Sequence, residues 1–432
     1  MEDMSNLIQN NKEFWYPLDN AAKIFPAITT DEVTSVFRIS ANLKQRINIK
    51  CLFKAVRSIE SRFPYYKVRL KKGFFWYYFE STEFLTPIEV DDQISCRSFL
   101  HGDNLFRILV YNNQLSVEFS HVLADGGGAF EYFKTLLVRY FELIGVEIPS
   151  TFNYIKPDEK PNPEEFEDAY NRYFQEHIPA SVKRPKAFHL PFALRNVPRF
   201  EVLYAIISSS EIKERAKEKK VNITVYLIAV YFSILQDIYE SLPPGSKYRK
   251  HKKLSIEVPI NLRKMYPTAT MRNFSLFVMP EIDLRLGHYS FDEMIKTVYH
   301  QMRLETDKKL VNKILALNVG SERKLLIRSI PLSLKSFVLK ISSYALGSSQ
   351  YSGVVTNLGE IHFPEQIAEQ IDCLTVIPPP PNKLIKAGCG MISFNDKLVI
   401  CFGSIAKTKE FEKRFVQFLV KEGIHVRITI NK

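Results

Sequence analysis

Residues 115–128, which read LSVEFSHVLADGGG, join an alternating strand to a histidine, an aspartate and a run of glycines. One face of the strand is apolar, with Leu115, Val117 and Phe119 at every second position. His121 continues this two-residue period, so its imidazole leaves the end of the strand on the side that faces the core. The pattern predicts a histidine at the place where a core meets a cleft.

Apolar residues at helical spacing follow the glycines, at Phe130, Phe133, Leu137 and Tyr140. They predict a helix that packs back on the strand. An imidazole accepts a proton near neutral pH, and general-base transfer by a placed histidine is worth roughly 10²–10⁴-fold in rate. The alternative is structural, with His121 as a satisfied histidine at a strand end and Asp125 as the cap of the helix.

The composition is that of a globular protein, with 46% hydrophobic and 25% charged residues in 432. This length predicts two domains, and the proline-rich, charged stretch 149–198 is typical of a connector. We therefore expect one domain over residues 1–180 and a second over residues 181–432. Residues 105–137 and 390–419 share a plan of hairpin, turn and helix, but only the first copy carries the histidine, the aspartate and the glycines.

The periodicity of apolar residues predicts further elements. Hairpins are expected over residues 65–79 and 105–120. Helices are expected over residues 47–62, 163–177, 210–219, 291–307, 322–340 and 411–421. The longest apolar stretch, residues 223–235, is shorter than the roughly 20 residues of a membrane span, so it predicts a buried helix capped by Asn222 or Thr224 rather than a transmembrane segment.

Several classes of protein are disfavoured by the sequence. The five cysteines are scattered and have no C-x-x-C pair, so we expect neither a disulfide framework nor a metal site. Residues 1–17 have no basic region followed by an apolar run, so we expect no secretory signal and a cytoplasmic protein.

The net charge of +12 raises the question of a nucleic-acid partner, but the basic residues are mostly dispersed. The one dense run, residues 247–253, is most simply a solvated loop. The more specific interpretation is that it attracts the phosphates of a large anionic cofactor. We expect no nucleic-acid partner.

Residues 120–127, SHVLADGG, resemble the HHxxxDG motif of an acyltransferase superfamily that includes chloramphenicol acetyltransferase, peptide-synthetase condensation domains and alcohol acetyltransferases. Ser120 stands where the motif has its first histidine, a position whose role is usually structural. Further stretches are similar to the alcohol acetyltransferase branch and run through nearly the whole chain, at residues 17–23, 74–78, 258–263, 271–274, 356–359 and 378–381.

The resemblance implies an α/β fold of two chloramphenicol-acetyltransferase-like domains in pseudo-duplicate, with mixed sheets flanked by helices and an active-site tunnel at the domain junction. It implies that His121 takes the proton from an acceptor that attacks the thioester of an acyl-CoA. It also implies that Asp125 is held by Arg263 of the other domain, a structural pair across the junction. The alternative for Arg263 is a surface arginine.

Attack on a thioester creates an oxyanion, and one well-aimed donor to it is worth about 10²–10³ in rate. The candidate donors are the backbone N–H groups of Gly126 and Gly127 and the side chains of Thr356 and Asn357. The structural alternative for the Thr-Asn pair is an ordinary turn at a strand end. Asn273, in one of the similar stretches, is a supporting candidate whose alternative is a turn or cap.

Three functions follow. The first is an acyl-CoA-dependent O-acyltransferase, most simply one that moves the acetyl group of acetyl-CoA to a small alcohol, with His121 as general base and with no metal, no permanently bound cofactor and no covalent enzyme intermediate. The second keeps the fold but takes the acyl group from a carrier-protein thioester or gives it to an amine. The third is a catalytically silent relative that binds a ligand in the same cleft, with Ser120 as the first sign of decay.

Overall fold

The structure is a computed structural model, and it describes residues 14–99, 102–176, 178 and 184–430. Its strands, in chain order, are β1 (Trp15–Pro17), β2 (Val36–Leu43), β3 (Val68–Lys72), β4 (Tyr77–Ser81), β5 (Ile88–Val90), β6 (Phe106–Tyr111), β7 (Gln114–Ser120), β8 (Glu201–Ser208), β9 (Lys253–Asn261), β10 (Ser275–Val278), β11 (Glu281–Asp283), β12 (Gly353–Glu360), β13 (Ile371–Ile377), β14 (Ala387–Phe394), β15 (Lys397–Ser404) and β16 (Val426–Ile430).

The α-helices are α1 (Phe25–Ile28), α2 (Ile49–Ile59), α3 (Gly126–Leu143), α4 (Ala169–Arg172), α5 (Ser209–Glu218), α6 (Ile223–Glu240), α7 (Phe291–Glu305), α8 (Lys308–Arg323), α9 (Leu325–Ser329), α10 (Leu332–Ser342), α11 (Glu365–Ala368) and α12 (Glu410–Lys421). The predicted hairpins appear as β3 with β4 and β6 with β7, each antiparallel. The fold class is confirmed, since mixed sheets are flanked by helices.

The first half is built on a five-stranded sheet of order β13-β2-β7-β6-β5. The apolar face of β7 is fully buried, as its alternation predicts. Helix α3 packs on this sheet through Phe133, Leu137 and Tyr140, which share one core with Val117. The predicted strand, turn and helix around His121 are therefore present.

The second half is built on an eight-stranded sheet whose main path is β10-β9-β12-β14-β15-β8-β16, with β11 paired to β9. Helix α6 lies in its core, and the Asn222 side chain caps it by accepting from the Val225 N–H. Among the described residues α6 is the one helix long and apolar enough to cross a membrane, but 78% of that stretch is buried inside the protein. It is the buried core helix that the sequence predicts.

One strand crosses between the halves. β13 comes from the second half of the chain, yet it pairs antiparallel with β2 of the first sheet, with Thr375 opposite Ser40. The boundary predicted at residue 180 falls among residues 179–183, which lie outside the described part of the chain, as do residues 1–13 of the segment inspected for a signal. Both stay predictions.

Two predicted helices are wrong. Over residues 163–177 there is a 3-10 turn, Pro163–Phe166, and the single helical turn α4. The helix expected over residues 322–340 is three pieces, because α8 ends at Arg323 and Pro331 precedes α10. Proline has no N–H to continue a helix and forces the preceding residue towards extended backbone, which accounts for the second break, at Ile330 and Pro331. The first break, at Lys324, has no proline.

Candidate active site

The turn between β7 and α3 fixes the backbone of His121 from both halves of the protein. The His121 N–H donates to the Ser35 carbonyl at 2.8 Å. The Asn273 side chain donates from Nδ2 to the His121 carbonyl at 3.0 Å. Asn273 is thus neither a simple turn residue nor a helix cap, because it ties the motif to the second half.

The imidazole of His121 lies between two aromatic rings. Its centroid is 5.3 Å from that of Phe25, with the planes at 18°, and 4.6 Å from that of Phe37. Burial lowers the pKa of His121 from 6.5 to about 4, although the charge of Asp125 and hydrogen bonds with Asn273 and the Ala124 backbone oppose the shift. The ring is therefore neutral at pH 7 and has a lone pair ready to accept a proton.

His121 lines a cavity of about 2390 Å³ at the junction of the two halves. Its walls include Phe25 and Phe130 from the first half and Thr356 and the proline run 378–381 from the second. The volume exceeds the roughly 300–1,000 Å³ of a pocket for one small ligand, so it has room for two substrates at once. The imidazole therefore faces open space at the junction.

Asp125 is both the helix cap and the partner of Arg263. Its Oδ1 accepts from the N–H groups of Gly127 at 3.1 Å and Gly128 at 3.0 Å. Its Oδ2 accepts from Arg263 Nη1 at 2.9 Å and from the Phe274 N–H at 2.7 Å. Burial disfavours the charged form, but Arg263 and the backbone donors outweigh it and hold the pKa of Asp125 below its usual value. The structural alternative for Asp125 and the pairing implied by resemblance are thus both present.

The glycines let the two halves approach at this point. A Cβ on Gly128 would lie 2.1 Å from the Met271 carbonyl oxygen, and one on Gly127 would lie 3.1 Å from Arg263 Nη1. Arg263 also donates from Nε to the Thr270 carbonyl at 2.9 Å. The absence of side chains at the start of α3 therefore makes room for the segment that Arg263 holds.

Two charged residues beside the Asp125–Arg263 pair were not predicted from the sequence. Asp19 is fully buried and accepts from Asn273 Nδ2 at 3.1 Å, while Arg272 lies 3.7 Å from it and donates to the Pro17 carbonyl at 2.7 Å. Both residues lie in stretches that carry the family resemblance. An acidic residue in one such stretch and a basic residue in another was the available signal for this contact.

Two of the four oxyanion candidates have donors that are already engaged. The Gly127 N–H donates to Asp125. The Asn357 side chain donates to Thr224 Oγ1 at 3.0 Å and accepts from the Gly359 N–H at 2.8 Å, so it shapes the end of β12, which is its structural alternative. Gly126 and Thr356 both line the cavity.

Ser120 has a role in the turn. It is buried, and its hydroxyl accepts from the Val122 N–H at 3.3 Å. The side chain at this motif position thus supports backbone, which is the kind of role expected there.

The dense basic run lies away from the cavity. It forms a 3-10 turn, Lys247–Lys250, and leads into β9, and residues 247–253 do not line the junction cavity. This placement supports the solvated-loop interpretation. In the described part of the chain no group of three or more His, Cys, Asp or Glu side chains is placed to hold a metal ion.

Comparison with known proteins gives a match in structure only. No family model and no curated protein matches the sequence. The structure is similar to the TRI3 trichothecene 15-O-acetyltransferase from Fusarium sporotrichioides, at 10% identity and a TM-score of 0.60 over 95% of each chain. It is also similar to TRI101 from F. sporotrichioides complexed with coenzyme A and T-2, at 9% identity and 0.59 over 97% of this chain and 100% of that one.

A third similar structure is the condensation domain of the monacolin K polyketide synthase MokA, at 11% identity and a TM-score of 0.59 over 94% of this chain and 96% of that one. The chain therefore shares the fold of these three proteins. The two-part α/β fold that the motif stretches imply is thus confirmed. Its histidine turn lies at the junction cavity, where the resemblance expects the chemistry.

Proposed function

We propose that the protein is an acyltransferase that moves an acyl group from an acyl-CoA, most simply acetyl-CoA, to the hydroxyl of a small alcohol. One observation carries the proposal: a neutral imidazole, that of His121, opens into a junction cavity large enough for two substrates. The fold supports it, since TRI101, which has the same fold, was solved with coenzyme A.

The reaction needs one base. In the proposed mechanism His121 takes the proton of the acceptor hydroxyl while its oxygen attacks the thioester carbonyl carbon. The tetrahedral intermediate then collapses, the C–S bond breaks, and the thiolate takes the proton back from the imidazolium to leave as the free thiol. Burial disfavours the imidazolium, which helps this return of the proton.

The oxyanion of the intermediate needs a hydrogen-bond donor. We assign this role to the Gly126 N–H and the hydroxyl of Thr356, since both residues line the cavity and Gly127 and Asn357 are engaged elsewhere. Asp125 and Arg263 act as positioning residues, because their pair fixes the His121 turn against the second half. This pair and the use of Ser120 in the turn support an active enzyme over a silent relative.

Similarity to the MokA condensation domain supports a second candidate, in which a separate carrier protein supplies the thioester. The same base and cavity serve that reaction, so the two candidates differ in the donor alone.

The deciding experiment follows free thiol when the full chain is incubated with acetyl-CoA and a panel of alcohols and amines. We expect release that depends on the acceptor, and a loss of at least about 10³-fold in kcat for His121→Ala. His300→Ala, an exposed histidine of α7, is the matched control and should keep the wild-type rate. Undiminished release by His121→Ala, or no release from acyl-CoA by the wild type, would overturn the proposal.

A further inference from the structure

The junction cavity contains a second polar group of residues, the Glu257 cluster, made up of Glu257, Ser348, Tyr351 and Asn382. All four line the cavity. The Tyr351 hydroxyl interacts with the side chains of Glu257 and Ser348, and Asn382 Nδ2 donates to Ser348 Oγ at 2.7 Å. The cluster is therefore a connected group of polar side chains along the cavity wall.

Glu257 lies on the cavity face of a core strand. Along β9, Ile256 and Val258 lie in the apolar core of the second half, and residues 257–261 line the cavity, with the Glu257 side chain on the opposite face of the strand from Ile256 and Val258. In the register of the sheet Glu257 is opposite Val354, another cavity residue. An apolar side chain at this position would cost less to bury than a carboxyl, so packing alone does not account for the glutamate.

The cluster is separated from the proposed reaction centre by a stretch of strand. Asn261 lies four residues further along β9, and its Oδ1 accepts at 3.4 Å from Nη1 of Arg263, the partner of Asp125. At roughly 3.3 Å per residue, Glu257 is about 13 Å along the strand from Asn261. His121 and the Glu257 cluster line the same cavity.

Glu257 differs from the other buried carboxylates near the junction. Asp125 is paired with Arg263, and Glu165 is paired with Arg62 at 2.6 Å. In the part of the chain that the structure describes, no lysine, arginine or histidine forms an ion pair with Glu257. Burial accordingly raises the pKa of Glu257 to about 7, although the hydrogen bond from Tyr351 lowers it in part. The carboxyl lacks a cationic partner that a ligand is able to supply.

We propose that the Glu257 cluster binds a hydrogen-bond donor at the far end of the acceptor, a second hydroxyl or an ammonium, so that the enzyme prefers diols or amino alcohols to plain alcohols. This inference rests on the proposed function. The alternative ligand of the cluster is CoA. A carboxyl repels the phosphates of CoA, but the amide N–H groups of the pantetheine arm are hydrogen-bond donors that the cluster is able to bind. The test therefore measures the KM of the acceptor and the KM of acetyl-CoA separately.

The test compares three acceptors of equal chain length, a primary alkanol, its terminal diol and its terminal amino alcohol, with acetyl-CoA as donor. We expect the wild type to favour at least one two-ended acceptor by about tenfold or more in kcat/KM, through KM. Glu257→Gln and Tyr351→Phe should reduce that preference towards unity while leaving the alkanol rate and the KM for acetyl-CoA unchanged. Glu360→Gln, an exposed carboxyl paired with Lys213, is the control and should keep the preference.

Two results would overturn the inference: a preference that survives in both variants, or a variant whose KM rises for acetyl-CoA rather than for the acceptor. Circular dichroism of each variant confirms that it folds. If Glu257→Gln does not fold, Tyr351→Phe still tests the inference. A preference for the amino alcohol identifies an ionised carboxylate as the binding group. A preference for the diol identifies a neutral donor as the ligand group.

Calorimetric binding of the diol and the alkanol without acyl-CoA separates the two proposals. If no acceptor releases thiol, the proposed function fails. Tighter binding of the diol that is lost in Glu257→Gln would still support the cluster. If thiol release is robust and Glu257→Gln leaves the preference intact, the cluster proposal alone fails.

Discussion

The two halves carry the same hairpin, turn and helix, and they use the turn differently. In the first half the turn holds His121 and opens into the junction cavity, with Asp125 capping α3. In the second half the turn after β15 is covered, because Ile405 accepts from the Arg195 N–H at 3.0 Å and Ala406 bridges Leu194.

The helix that follows each turn differs as well. Helix α12 begins after Lys409 with no side-chain cap. Helix α3 is capped by the Asp125 carboxylate, which accepts two hydrogen bonds from the helix and two from the second half. The turn of the first unit is thus left uncovered at the cavity and tied across the junction by Asp125 and Arg263. The turn of the second unit is covered by the connector.

The largest difference between the two turns should appear when the carboxylate is removed. Asp125→Ala leaves the mostly buried guanidinium of Arg263 without its partner, and breaking a buried pair costs about 3–5 kcal/mol. We expect that loss in the free energy of unfolding from denaturant titration, together with a fall in acyl transfer. Lys409→Ala at the corresponding place before α12 should cost less than about 1 kcal/mol, since it removes a partly exposed ion pair with Glu201. Equal losses would contradict the comparison.

The next effect concerns the close approach at the first turn. Gly128→Ala puts a methyl group against the Met271 backbone, so we expect the unfolding free energy to fall by about 1–3 kcal/mol and acyl transfer to fall with it. Gly245→Ala, where a Cβ would meet nothing within 4 Å, is the matched control. Thermal denaturation of both variants decides, and a stable, active Gly128→Ala would show that the halves need not meet so closely.

With a plain alkanol as acceptor, which does not use the Glu257 cluster, the pH dependence should belong to the first turn alone, because the second has no imidazole. The pKa of His121 is lowered to about 4, so the ring is unprotonated and able to act as a base above that pH. We expect kcat/KM to hold from about pH 7 to about pH 5 and to fall with acid only around pH 4 and below. Circular dichroism at each pH excludes unfolding as the cause. A midpoint near 6.5 would mean that the ring is solvated.

The smallest effect is expected at Ser120. Ser120→Ala removes one hydrogen bond to the Val122 N–H, so we expect a loss of about 1 kcal/mol in stability and a change of only a few-fold in kcat. A loss comparable to that of His121→Ala would give this serine a part in the reaction.

Local patterns predicted the motif region because strand β7 and helix α3 follow from the spacing of neighbouring residues. The break before α10 was missed since the apolar period continues through Pro331. The hydrogen bonds from Gly127 to Asp125 and from Asn357 to Thr224 were also missed, because spacing shows which donors a segment has and not which acceptors they bind.

The cluster around Glu257 was beyond sequence reasoning for a related reason. The alternation of apolar residues over 254–260 is typical of a strand, but it leaves open what Glu257 faces. Its surroundings come from Tyr351 and Asn382, each about a hundred residues away along the chain. Long-range partners of this kind follow from the fold and not from the composition of one segment.

Strand β13 has a mechanical consequence. It belongs to the second half of the chain but is hydrogen-bonded along β2 of the first half. The two halves therefore cannot separate as rigid bodies without breaking the hydrogen bonds between β13 and β2. A fragment that ends near residue 180 would lack β13, so β2 would become an unpaired edge strand that is prone to aggregation.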